Sequence, residues 1–256
     1  MTLRQALPLT LTAIALLTAP DAWPTEDKAA SSLNGEGQFN VGLDHLRAGR
    51  YDLAIDSFQA AIKEDGKNPY FYKGLGDAYL SKKRYSEAIN AFKKALEINP
   101  YYVDVRNDLG TAFLLSGKRD EGKKELSAAY ANPENPTPEQ TAANLGQAYF
   151  EEKNYSQALS WYQTSLARNK DYAAAYILTS DALTALGRSD EALSQLEAGA
   201  QTLPKDVNIM LALGFAYYRS GRFAEARTRL EQVAAKDPGG AAGRRAVDLL
   251  AKFPKQ

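Results

Sequence analysis

The chain contains no cysteine. Disulfides, thiolate metal sites, a cysteine nucleophile and a lipid-modified N-terminal cysteine are therefore excluded. There is one histidine, His45, and it falls where related segments carry Tyr or Phe, so it is read as a packed ring rather than a catalytic base. Excess charge is also missing. Lys and Arg total 31, as do Asp and Glu, which leaves no global electrostatic case for a nucleic-acid or anionic-membrane partner. Alternating strand patterns are absent as well. The apolar run near the N-terminus, "ALPLTLTAIALLTA", falls short of the about 20 residues that a membrane-crossing helix needs.

That run has secretory length, Arg4 precedes it, and Ala19 and Ala22 offer cleavage sites. Residues 1–22 are accordingly expected to be a signal peptide and residues 23–34 a flexible polar leader. The expectation is an exported, periplasmic protein that is not a cysteine-anchored lipoprotein.

What is present is periodic. A small residue stands three before an aromatic or aliphatic one at Gly42/His45, Gly76/Tyr79, Gly110/Phe113, Gly146/Tyr149, Ser180/Leu183 and Gly214/Tyr217. The first members are spaced 34, 34, 36, 34 and 34. Twelve residues on comes another small residue: Ala54, Ala88, Gly122, Ala158, Ala192 and Ala226. Four further sits a large one: Phe58, Phe92, Leu126, Tyr162, Leu196 and Leu230. Each unit therefore reads as two antiparallel helices, with the small residue allowing close approach and the large one filling the gap. Turns such as "LRAGRYDLA" and "TALGRSDEA" separate them. Tyr51, Tyr79, Tyr85, Tyr149, Tyr155, Tyr162 and Tyr217 fall at core phases, so the tyrosines are structural first.

The chain resembles the tetratricopeptide repeat family over residues 35–240, most closely in "YKGLGDAYLSKKRYSEAINAFKKALEINP". The resemblance implies an all-α, right-handed superhelical solenoid. Six repeats are expected at 35–68, 69–102, 103–136, 139–172, 173–206 and 207–240. The three prolines of "ANPENPTPEQ" mark a loop insertion near 137–138 within one array, not a domain linker, because the phase resumes at once. Residues 241–256 are expected to be a capping helix and tail, with Val247, Leu249, Leu250 and Phe253 on one apolar stripe. Thirteen helices follow.

No active site emerges. "GLGDAY" starts like a dinucleotide loop but lies inside a repeat helix, without a preceding strand or a third glycine. Asn154-Tyr155-Ser156 fits a glycosylation sequon by accident of a packing position. A non-catalytic scaffold is expected, with no cofactor, no metal, no nucleic acid and no small-molecule substrate.

In the family, first helices line the inner wall of the curved array, so a protein or peptide partner is expected there. The candidate contacts are Phe39, Leu43, Tyr70, Lys73, Asp77, Asn107, Gln147, Phe150, Ile177, Asp181, Leu211, Phe215 and Tyr218. The family's carboxylate clamp of lysine and asparagine is matched only in part, by Lys73 and Asn107. The ninth positions carry Asp77, Thr111, Gln147 and Asp181 instead, which argues against chaperone-tail binding. Charge varies along the array, from six basic and three acidic residues in 69–102 to two basic and five acidic in 173–206.

The stretch "LSAAYANPENPTPEQTAANLGQAYFEEKNYSQAL" is similar to the centre of the type IV pilus pilotins, repeat proteins that assist assembly of the pilus secretin. The resemblance implies a secretin as partner and peripheral association with an envelope complex. The present chain departs from those lipoproteins in lacking a cysteine. The alternative is a general periplasmic scaffold for cell-envelope or cytochrome maturation complexes.

Overall fold

The computed structural model describes residues 34–253. The expected signal peptide and nearly all of the leader lie outside the described residues. Within them the secondary structure is thirteen α-helices and no strand. They are α1 (Gly35–Arg47), α2 (Tyr51–Glu64), α3 (Pro69–Ser81), α4 (Tyr85–Ile98), α5 (Val103–Leu115) and α6 (Arg119–Ala131). Then follow α7 (Pro138–Glu151), α8 (Tyr155–Arg168), α9 (Ala173–Ala185), α10 (Ser189–Thr202), α11 (Val207–Arg219), α12 (Phe223–Lys236) and α13 (Ala241–Leu250).

Each odd-numbered helix up to α11 ends in the same way. The next residue but one has positive φ: Gly49, Lys83, Gly117, Lys153, Gly187 and Gly221. The following amide then donates back to the last turn, as in Arg50 N–H to His45 O (2.8 Å) and Arg222 N–H to Tyr217 O (2.9 Å). This closes carbonyls that the helix leaves open and reverses the chain. Glycine suits the left-handed backbone, whereas Lys83 (φ 60°) and Lys153 (φ 61°) hold it against their own Cβ.

Reversal brings the two helices of a pair together on their small residues. A Cβ added to Gly76 would stand 2.4 Å from the Phe92 ring, and one on Gly146 would stand 2.4 Å from the Tyr162 ring. Phe58, Phe92, Leu126, Tyr162, Leu196 and Leu230 are all buried, as the spacing predicts. Tyr51 is a correction. It was expected in the core, but it is 36% exposed, because the first residue of a second helix covers only the rim of the preceding helix. Phe223, at the same phase, is likewise exposed.

The proline-rich segment is an ordered turn. Asn135 donates its side-chain amide to Ala129 O and to Thr141 Oγ1 (both 3.0 Å), and its Oδ1 accepts from Thr137 N–H (2.9 Å). Thr141 is fully buried, so the loop is tied to the start of α7, and α6 still packs on α7.

α13 packs on α12 and α11 and covers the end of the array. Its buried side is Ala242, Ala246, Leu249 and, just beyond the helix, Phe253. The spacing of four, three and four residues keeps these on one face at 100° per residue. Val247, expected on that stripe, is 54% exposed. It lies one residue past Ala246 and so points away.

Candidate functional site

First helices approach one another along the array, α1 to α3, α5 to α7, α7 to α9 and α9 to α11, while no two second helices pack on each other in this way. A stack that is tight on one edge curves toward it, which makes the first helices the inner wall.

At the N-terminal end the wall is partly core. Phe39 lies against Phe58 and Phe71, with ring centroids 5.6 and 5.2 Å away, and Leu43 packs on the same cluster. Tyr70 is more open, at 56% exposure, edge-on to Tyr102 at 5.4 Å. Next comes a charged knot. Lys73 Nζ lies 2.9 Å from Asp77 and 3.2 Å from Asp108 on the neighbouring helix. Burial alone would lower the lysine's affinity for its proton, but the two carboxylates outweigh it and hold Lys73 firmly charged. Burial raises the Asp77 carboxyl above its ordinary range, with Asp108 adding to the rise and Lys73 opposing it. The lysine is compensated from both sides.

In the middle, Asn144 donates its amide to Asn107 Oδ1 and to Thr111 Oγ1, both at 3.3 Å. Asn107 is buried by this contact and so belongs to the wall rather than to its open face. The Tyr162 hydroxyl donates to Gln147 Oε1 (3.2 Å), and Gln147 Nε2 faces Glu151 at 3.4 Å. Asp108 and Asn144 escaped the sequence reading. They occupy the sixth position of their repeats, and a polar residue there, where the second repeat has Gly74, was the available signal.

Toward the C-terminal end the wall becomes aromatic and half-open. Phe150 lies edge-on to Tyr155 at 5.1 Å. Ile177, Phe215 and Tyr218 are partly buried on one cluster, and Leu211 is buried within it. The Arg245 guanidinium stands 5.6 Å over the Phe215 ring, and Tyr218 contacts Phe253 at 5.0 Å. Asp181 stands on α9, one turn after Ile177. It makes no hydrogen bond or ion pair among the described residues, and burial pushes its carboxyl up to about 6, with Arg219 pulling only partly the other way.

This carboxyl affects stability with a definite sign. Its folded pKa lies above the unfolded value of about 4, so the folded state holds the proton more tightly. Its contribution to stability is then fully present below about pH 4, is lost as pH rises toward 6, and stays absent above. Asp181→Asn is expected to stabilise the protein by roughly 1–2 kcal/mol at pH 7.5, allowing for partial exposure, and by little at pH 4. Urea denaturation at the two pH values measures this, and equal effects at both would contradict it.

Among the described residues, no three His, Asp or Glu side chains converge as a metal site requires, and no helix is long and apolar enough to cross a membrane.

Comparison with known proteins follows the same outline. Two family models of the tetratricopeptide repeat match, one over residues 40–103 and the other over 80–143, 149–208 and 183–252. Superkiller complex protein 3 of Mus musculus is 38% identical over 91 residues, covering 36% of this chain and 6% of that protein. DnaJ homolog subfamily C member 3 of Gallus gallus is 26% identical over 204 residues, 73% of this chain and 39% of that one. The chain thus spans well under half the length of these curated relatives. Among solved structures, PilW, a type IV pilus biogenesis factor, superposes with a TM-score of 0.68 at 20% identity, covering 83% of this chain and 98% of PilW. Pseudomonas aeruginosa PilF gives a TM-score of 0.64 at 18% identity, with 86% and 97% covered.

Proposed function

This chain belongs to the tetratricopeptide repeat family, and we propose that it is a non-catalytic, periplasmic scaffold that assists assembly of a type IV pilus secretin. Repeats of this kind serve generally as protein-interaction scaffolds, and the half-open inner wall supplies the surface. The observation that carries the pilus reading is the coextensive match with PilW, nearly all of which is covered. The proline-rich insertion after the third repeat, similar to that of the pilotins, supports it. Export rests on the N-terminal apolar run behind Arg4.

A secretin segment is the proposed occupant of the groove. Tyr70, Phe150, Phe215 and Tyr218 offer apolar contact, whereas Leu211 and Asn107, buried in the wall, shape it from behind. Phe39 and Leu43 contribute only the edges that the core leaves free. Alanine at a true contact among the four aromatics is expected to weaken secretin binding by about 2 kcal/mol, roughly thirtyfold. Titration of the folded variants, checked by circular dichroism, measures it. In the native organism, deletion of the gene should leave monomeric secretin and few heat-stable multimers. Normal multimers and normal piliation in the deletion strain would refute the proposal and return the protein to a general envelope scaffold.

A further inference from the structure

The inner wall treats two of its charges differently. Lys73 is neutralised within the protein by Asp77 and Asp108. Asp181 is not neutralised by anything within ion-pair distance. Charged and titratable groups around it include Arg219, at the end of α11, and Tyr162 of α8, whose hydroxyl already donates to Gln147, while the Arg245 guanidinium is drawn onto the Phe215 ring of the same groove. Repeat register sets Asp181 between Gln147 and Phe215, each 34 residues away at the same helical position. Ile177 lies one turn before it, and Phe150 and Tyr218 flank the next turn. A carboxylate without an ion-pair partner thus sits on a half-open wall whose neighbouring positions are mostly apolar.

Any partner that covers these positions must also cover the carboxylate. Removing its remaining water without supplying a counter-charge is unfavourable. An acidic segment would add repulsion to that cost, and a purely apolar one would leave the charge bare. A cation directed at Asp181 offsets the loss and gains a charge-assisted hydrogen bond. We infer that the groove formed by α7, α9 and α11 takes a partner segment carrying one arginine or lysine between large apolar side chains, with that cation paired to Asp181. The inference rests on the groove reading above and adds to it the chemistry of the occupant.

A library of random twelve-residue peptides displayed on phage provides the probe, selected against the full chain and its Asp181→Asn and Asp181→Lys variants. Peptides selected on the unaltered protein should be enriched in one basic residue flanked by Leu, Ile or Phe. Synthesised and titrated by fluorescence anisotropy, such a peptide should lose about tenfold in affinity when its cation becomes glutamine. On Asp181→Asn that substitution should make little difference, and Asp181→Lys should favour a third peptide in which glutamate replaces the cation. A basic preference that is absent, or that survives in Asp181→Asn, overturns the inference. Phe215→Ala separates the two readings. If it abolishes binding of peptides that show no basic preference, the groove stands and the cation falls. If no peptide is selected at all, both fall together.

Discussion

Phe92→Ala is expected to destabilise the second and third repeats by about 3–5 kcal/mol. Phe92 is fully buried, and its ring fills the space left by Gly76 on the facing helix, where an added Cβ would stand 2.4 Å away. Truncation removes the burial of the ring and leaves a cavity between α3 and α4, and neither helix closes it easily because each also packs on neighbours. Gly76→Leu should cost on the order of 1–3 kcal/mol for the opposite reason, since the added side chain meets the ring. The two should not add. In the double variant the leucine occupies part of the vacated space, so its cost should fall below the sum of the single costs. Hydrogen exchange resolved by segment measures this better than a single melting curve, because an array unfolds repeat by repeat. Additive costs would mean that Gly76 and Phe92 do not share a contact.

Ending the chain before Ala241 is expected to cost about 3 kcal/mol, confined to the C-terminal end. The deleted piece carries the buried faces of Ala242, Ala246, Leu249 and Phe253, which rest on α11 and α12. Without it, the cluster around Leu230 and Val233 opens to water, and a nearest-neighbour array passes little of that loss along. Exchange protection should fall over α11 and α12 and remain unchanged over α1–α4. Two point variants refine the test. Leu249→Glu should reproduce much of the loss, whereas Val247→Glu should be nearly silent, because its side chain is already exposed. Unchanged protection in α12 after truncation would mean that α13 is no cap.

Much of the fold was legible because a repeat states its rule several times. One pair such as Gly146 and Tyr162 is weak as a signal, but six pairs in one phase identify both the helical period and the face that packs. The turns were legible for the same reason, with the left-handed residue recurring at 49, 83, 117, 153, 187 and 221. The site was less legible. Wall positions were found by counting, yet the same count includes Leu211, which is buried, and Tyr70, which is open. Asp108 and Asn144 were missed because each acts across the boundary between repeats, to Lys73 and Asn107, rather than within its own.

By itself the sequence determined the all-α class, the helix-pair unit, its small-on-large packing and the chain reversals, because these depend on residues less than one repeat apart. Tertiary structure alone decided which wall residues remain open, that Val247 points outward while Ala246 packs, and that Lys73 is compensated while Asp181 is not. The reason is physical. Helix periodicity and turn chemistry are local, but exposure and charge compensation are set by whatever the next repeat places alongside. That depends on how closely neighbouring helices approach, and a periodic pattern does not carry that distance.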